Sequence, residues 1–152
     1  MPKPVPFLWF DGHAEQAAEL YTSVFPNSAI TEVSRTGPGE PAMTVSFTLD
    51  GEPFTALNGG PQFSFTEAIS FQVPCADQAE VDRYWSLLSE GGEEGRCGWL
   101  KDRFGLSWQV VPTALPALLG DPDPGRAQRA MTAMMGMNKL DIAVMRAAAD
   151  AG

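Results

Sequence analysis

Apolar positions along this chain alternate between a period of two and a helical spacing, and the switches divide it into segments. Phe7-Leu8-Trp9-Phe10 is a short apolar and aromatic run ending at Asp11-Gly12, and it predicts a strand. From His13 the spacing lengthens. Ala14, Ala17, Ala18, Tyr21, Val24 and Phe25 make the stripe of an amphipathic helix, begun by Asp11 or Gly12 as cap and stopped by Pro26. Residues 30–35 predict a second strand, followed by a loop at Gly37-Pro38-Gly39-Glu40-Pro41. Met43, Val45, Phe47 and Leu49 then alternate with Thr44, Ser46 and Thr48 as in a half-buried strand. Asp50-Gly51 has the signature of a two-residue type I′ turn, and residues 52–57 return as its partner strand before Asn58-Gly59-Gly60-Pro61.

The same order repeats. Ile69, Phe71 and Val73 alternate with Ser70 and Gln72, predicting a strand over 68–73 closed by Pro74. Asp77-x-x-Glu80 has the form of a capping box, and Val81, Tyr84, Trp85 and Leu88 form a helical stripe ending at Gly91-Gly92. Short strands follow at 96–99 and 106–111, separated by an Asp102-Arg103-Phe104-Gly105 turn. Two strands are located after the second helix against three after the first, and the matching order and spacing are read as two β-α-β-β-β modules, residues 5–60 and 66–112, preceding a tail over 113–152. The tail reads as helical, with a short turn at 116–119, a helix begun by Asp123-Pro124 and broken at Gly136, and a last helix capped by Asp141. Its stripes are Ala127, Ala130, Met131, Met134 and Met135, then Ile142, Met145 and Ala149, suited to covering the domain's own core or a dimer partner.

The length of 152 residues suits one domain or two closely packed halves. Ten Lys/Arg against 19 Asp/Glu give a formal charge of −9 with no basic cluster, which disfavours nucleic acid and anionic membranes as partners. No apolar run is long enough for a spanning helix, and the start of the chain lacks the pattern of a secretory signal. Cys75 and Cys97 are too few for a disulfide framework, so a reduced, cytoplasmic setting is expected.

The duplicated module and several motifs resemble the vicinal oxygen chelate superfamily (glyoxalase, bleomycin resistance, dihydroxybiphenyl dioxygenase). The motifs are Phe10-Asp11-Gly12-His13-Ala14-Glu15, Leu57-Asn58-Gly59-Gly60, Glu67-Ala68-Ile69-Ser70-Phe71, the run Cys97 to Pro112, and Met134-x-x-Met137-x-Lys139-Leu140-Asp141-Ile142. Within that superfamily the chain is similar to the PhnB-like group, whose domain bears the label 3-demethylubiquinone-9 3-methyltransferase. The resemblance implies an α+β fold in which the two modules form a curved mixed sheet around a cavity, with helices outside. It also implies a homodimer, in which C-terminal segments are often exchanged.

Because side chains alternate across a strand, one face of each sheet is expected to cover the helices and the other to look into that cavity. Met43/Val45/Phe47/Leu49 and Ile69/Phe71/Val73 are assigned to the helix side. Pairing about Asp50-Gly51 sets Phe54 beside Phe47 and Ala56 beside Val45, leaving Thr44, Ser46, Thr55 and Leu57 on the cavity face. Ser70, Gln72, Ser107 and Gln109 join them, with Trp108 outward, and Leu8 and Phe10 are the matching pair on the first strand. Trp9 and Trp99 are candidates for stacking on a planar ligand, and the expected binding set is Gln109, Gln72, Ser70, Ser107, Leu57, Phe10, Leu8 and Trp99.

Metal enzymes of the superfamily use four inward strand positions, which fall here near Pro6, Leu57 or Asn58, Glu67 or Ala68, and Gln109. Pro and Leu offer no donor, a Gln amide is a weak one, and the single histidine, His13, heads a helix, so no metal and no other cofactor is expected. Methyl transfer from S-adenosylmethionine is disfavoured as well, since neither Gly59-Gly60-Pro61 nor Gly91-Gly92 forms the Gly-rich turn after a first strand that such donors use. Asp11 with His13 reads as a helix start, Glu93-Glu94 as a solvated loop, Cys75 as structural, and Cys97 as either a buried thiol or a reactive one beside Arg96, Lys101 or Arg103. The expected function is metal-free binding of a small molecule in a neutral cavity. The alternatives are a lyase- or isomerase-like enzyme using Gln109, Ser107, Cys97 or a weakly held metal, and an assembly role with a vestigial cavity.

Overall fold

Two four-stranded mixed sheets, each with its own helix, account for most of the period-two segments. The computed structural model describes residues 2–152 and divides into two units, one ending at Phe65 and one running from Thr66 to Gly152. The first contains β1 (Phe7–Phe10), α1 (Ala14–Val24), β2 (Ala29–Arg35), β3 (Ala42–Leu49) and β4 (Glu52–Asn58), in the sheet order β1-β4-β3-β2. The second contains β5 (Ser70–Cys75), α2 (Gln78–Ser89), β6 (Glu93–Glu94), β7 (Trp99–Lys101) and β8 (Ser107–Pro112), in the order β5-β8-β7-β6. The helices α3 (Leu115–Leu119), α4 (Pro124–Met135) and α5 (Ile142–Asp150) follow. The class is α+β, with the two repeats in the expected order. Among the described residues no helix is long and apolar enough to cross a membrane.

In the first unit α1 buries Ala14, Ala17, Ala18, Tyr21 and Val24 against the sheet face that carries Val45, Phe47 and Ala56. The β3–β4 hairpin turns at Asp50 (φ 47) and Gly51 (φ 80), the two left-handed positions of a type I′ turn. Its register sets Phe54 opposite Phe47, with stacked rings 5.4 Å apart, and Ala56 opposite Val45. Met43 departs from its expected place on the helix side and is 49% exposed. The β2–β3 register shifts between Ser34↔Thr44 and Arg35↔Ala42, so Met43 has no opposite residue and the irregularity turns it out.

The cap of α1 also differs from expectation. His13 occupies the N-cap position, but its side chain does not cap the helix, and the first helical N–H, on Ala14, donates to Asn58 Oδ1 at 2.9 Å. Asn58 Nδ2 donates in turn to Ala42 O at 2.8 Å, so one amide ties the end of β4 to the starts of α1 and β3. The next residue, Gly59, lies under the Trp9 indole, where an added Cβ would clash with the ring. Trp9 Nε1 donates to Gly60 O at 2.9 Å. Asn58-Gly59-Gly60 is thus a structural motif, with one residue serving as a cap and two lying against an indole.

In the second unit α2 starts as expected. Asp77 Oδ1 accepts from Glu80 N at 2.9 Å, while the Glu80 carboxylate reaches back to Ala76 N at 2.8 Å. Its buried face is Val81, Tyr84, Trp85 and Leu88. β5 begins later than expected and runs through Pro74 to Cys75, so Ile69 precedes the strand and is 69% exposed. Pro74 is accommodated because β5 is an edge strand of its sheet, where a missing backbone donor disrupts no ladder. The strand expected at 96–99 begins only at Trp99, because Cys97 (φ 59) and Gly98 (φ 85) are both left-handed. Glu93-Glu94, expected in a loop, forms the two-residue strand β6.

Asp123 and Asp141 cap α4 and α5, accepting from Gly125 N at 2.9 Å and Val144 N at 3.1 Å. The tail is fastened to its own unit. Gln78 donates to Leu140 O and accepts from Ile142 N, and Cys97 N and Gly98 N donate to Met137 O and Asn138 O. Ile142, Met145 and Ala149 are buried as their spacing predicts. Of the α4 stripe only Ala130 is buried, and Met131 and Met135 are exposed.

Candidate functional site

Parallel pairing of β1 with β4 decides the faces of the first strand. Leu8 stands opposite Ala56 and Phe10 opposite Asn58, so both share the helix side of the sheet and are buried. This corrects the expected cavity-facing orientation of Leu8 and Phe10. Phe10 packs edge-on against Phe65 with ring centroids 5.1 Å apart. The open face belongs to Phe7 and Trp9, beside Thr55 and Leu57. Leu57 is half-buried there, opposite Thr44 on one side and Trp9 on the other, with Ser46 opposite Thr55 along the same face. Phe63 meets the Trp9 ring edge-on at 4.8 Å.

In the second unit the expected polar set does share one face. The register pairs Gln72 with Gln109 and Gln109 with Trp99, which makes a cross-strand row over β5, β8 and β7. The neighbouring row is Ser70, Ser107, Lys101 and Glu93, over β5, β8, β7 and β6. Gln109 Nε2 donates to Ser70 Oγ at 2.9 Å and joins the two rows. Trp99 and Gln109 are half-buried and Gln72 is exposed. Ser107 is 1% exposed, and its hydroxyl has no hydrogen-bond partner among the described residues.

The opposite face packs on α2 with Phe71, Val73, Cys75, Leu100, Trp108 and Val110. Trp108 is anchored there by its Nε1, which donates to Asp102 Oδ2 at 2.9 Å. Burial pushes the Cys75 thiol up to about 11, with Glu80 and Asp77 adding to the rise, which suits an inert core thiol. Cys97 is half-buried, and its Sγ lies 3.7 Å from Met134 O.

Sequence reasoning overlooked Lys101 and Glu93 as members of this face. Lys101 forms a salt bridge with Glu67. That hydrogen-bonded ammonium holds the Glu67 carboxyl below the usual range, and Glu67 raises the Lys101 ammonium, with Glu93 adding to the effect. The signal was present, since Lys101 lies two residues from Trp99 and so on the same face of one strand.

The positions that hold metal in superfamily enzymes do not fit one here. Pro6 and Leu57 have no side-chain donor atoms, both ends of the Asn58 amide are engaged, Glu67 is paired with Lys101, and the Gln109 amide serves Ser70. Among the described residues no group of three or more His, Cys, Asp or Glu could hold an ion. A divalent transition metal needs imidazole, thiolate or carboxylate in such a set.

Comparison with known proteins agrees with the topology. A family model described as 3-demethylubiquinone-9 3-methyltransferase matches residues 2–111. A putative 3-demethylubiquinone-9 3-methyltransferase, PhnB protein, from Bacillus cereus is 33% identical, with a TM-score of 0.68 over 74% of this chain and 100% of its own. A Pseudomonas aeruginosa protein of known structure is 20% identical, with a TM-score of 0.62 over 74% of this chain and 98% of its own. The fosfomycin resistance protein FosX from Mesorhizobium loti shares the fold at 15% identity, with a TM-score of 0.54 over 73% of this chain and 92% of its own. No curated protein matches the sequence. The repeated β-α-β-β-β order, the family match over most of the chain and the one-third identity to a PhnB protein agree, and the chain belongs to the 3-demethylubiquinone-9 3-methyltransferase domain family, a PhnB-like branch of the vicinal oxygen chelate superfamily.

Proposed function

We propose that this protein is a receptor for a small organic molecule, bound without a metal ion at the open face of β5, β8 and β7. The observation that carries this reading is the row Gln72–Gln109–Trp99, braced by the Gln109–Ser70 hydrogen bond. With one Nε2 hydrogen committed to Ser70, the Gln109 amide keeps its second N–H and its carbonyl for a ligand, and the half-buried Trp99 ring supplies an apolar wall beside it. A few placed polar groups next to an aromatic surface make the ordinary design of a small-molecule site. Leu57, with Trp9 beside it, offers a similar apolar surface on the open face of the first unit. Leu8 and Phe10 are spent on that unit's core and take no part.

Methyl transfer, which the family description names, finds no support in these residues. No Gly-rich turn follows β1, and both sheets differ in strand order from the doubly wound sheets that hold such donors. The experiment is native mass spectrometry of freshly purified protein and of Gln109→Leu, with elemental analysis of the same samples. The expected result is a copurifying or screened small molecule retained by the wild type and lost from the variant at unchanged melting temperature. About one equivalent of Zn, Ni, Mn or Fe, held by the wild type and required for ligand retention, would overturn the metal-free reading in favour of an enzyme.

A further inference from the structure

Glu93, Lys101, Ser107 and Ser70 stand opposite one another in one row across all four strands of the second unit's sheet. Beside this row is a pocket of about 260 Å³, lined by Glu67, Glu93, Trp99, Lys101 and Ser107 among others. That is below the roughly 300 Å³ at which sites for drug-sized ligands begin, so its occupant is small.

Two independent features define what the pocket lacks. The first is Ser107, a residue of the pocket lining at 1% exposure, whose buried hydroxyl has no hydrogen-bond partner among the described residues. Buried hydroxyls are nearly always hydrogen-bonded, and the other serine of the row, Ser70, already accepts from Gln109. The second is charge. Lys101 is committed to Glu67, and Glu94, although it also lines the pocket, turns its carboxylate to the other face to accept from Trp85 Nε1. Glu93 lies opposite Lys101 but forms no ion pair among the described residues, which leaves this side of the pocket with two carboxylates, Glu67 and Glu93, against the Lys101 ammonium. An anion would meet that excess negative charge, and a neutral molecule would leave it unmatched.

We propose that this pocket is a subsite for the protonated amino group of a small ligand. Glu93 is its counter-ion, Ser107 Oγ accepts one of its N–H groups, and the Trp99 ring flanks the cation. The proposal rests on the receptor reading above and adds the chemical class of the ligand.

The test is a nitrogen-15 NMR titration of the intact protein at pH 7 and low salt with n-butylammonium, n-butanol and butyrate in turn. The Trp99 indole signal is followed, assigned through Trp99→Phe. A saturable shift with butylammonium and none with butyrate is expected, weakening as salt screens the charge. Affinity should fall about threefold or more in Glu93→Gln and about three- to tenfold in Ser107→Ala. Glu93 lies on an exposed two-residue strand, so its variant keeps the test open should Ser107→Ala fail to fold. Butanol binding as well as butylammonium, or unchanged affinity in Glu93→Gln, overturns the amine subsite while leaving the receptor reading intact. A protein that retains no small molecule on purification and responds to none of the three probes overturns both.

Discussion

Asp102 accepts the indole N–H of Trp108 at 2.9 Å, and the same carboxylate also takes Phe104 N at 2.8 Å and Leu106 N at 3.1 Å. At 2% exposure this side chain organises the turn between β7 and β8 and holds Trp108 on the face that packs against α2. The residues after that turn include Ser107 and Gln109, so the carboxylate sets which way the candidate site points. Asp102→Ala leaves three donors without their acceptor, two of them buried, and should cost about 3–5 kcal/mol. Asp102→Asn, which keeps one oxygen but sets an N–H against the indole N–H, should cost about 1–3 kcal/mol. Urea unfolding followed by tryptophan fluorescence measures both, and a loss below about 1 kcal/mol for the alanine variant would contradict this role.

Asn58 makes a comparable prediction in the first unit. Asn58→Leu strands both Ala14 N and Ala42 O and should destabilise by about 1–3 kcal/mol. Asn58→Asp preserves the acceptor at the start of α1 but sets a carboxylate against the Ala42 carbonyl, so it should fall between wild type and the leucine variant. Equal stability of all three proteins in chemical denaturation would remove Asn58 as the cap.

The Glu67–Lys101 pair predicts a pH dependence with a defined sign. The folded-state value of Glu67 lies below its ordinary 4.5, so its contribution is present above that value and is lost as pH falls through the folded one. Lys101 is raised above 10.5, so its contribution is present below that value and disappears as pH rises through the folded one. Lys101→Met should return the Glu67 carboxyl toward 4.5 in a carbon-13 NMR titration. A Glu67 titration that does not move on this substitution would show that the pair does not persist in solution.

The two cysteines should differ in reactivity. Cys75 is fully buried with its thiol pushed up to about 11, so at pH 8 about one part in a thousand is thiolate even before access is considered. Iodoacetamide on the native protein at pH 8 should therefore modify the half-buried Cys97 first, as read by peptide mass mapping. Cys75 should react only after denaturant is added. Faster labelling of Cys75 in native buffer would be inconsistent with its place beneath α2.

Gly59 is constrained by Trp9 rather than by a turn. Gly59→Ala places a methyl where the indole ring lies and should displace Trp9 from the Gly60 carbonyl. The expected readouts are a shifted Trp9 indole N–H signal and a loss of about 1–3 kcal/mol in stability. An unmoved indole signal would argue against this contact.

Local pattern carried most of the architecture. Alternation over 43–49 and 107–111, the helical stripes from Ala14 and Val81, the Asp50-Gly51 turn and the caps at Asp77, Asp123 and Asp141 are decided by residues within a few positions of one another. That is the range over which strand pleat, helix pitch and side-chain capping act. The second unit's polar face was legible for the same reason, since Ser70/Gln72 and Ser107/Gln109 each occupy one face of a single strand. What tertiary structure alone decided is pairing between distant segments. Leu8 and Phe10 face the helix because β1 lies parallel to β4, a register that no short apolar run encodes, and a slip of one residue would have reversed it. Asn58 caps a helix 44 positions away, Met43 is turned out by a bulge, and Pro74 remains in its strand because that strand is an edge. The cluster of Glu67, Glu93 and Lys101 around an unsatisfied Ser107 likewise exists only once four separate segments are brought into register, because charge and hydrogen bonding act through space and not along the chain.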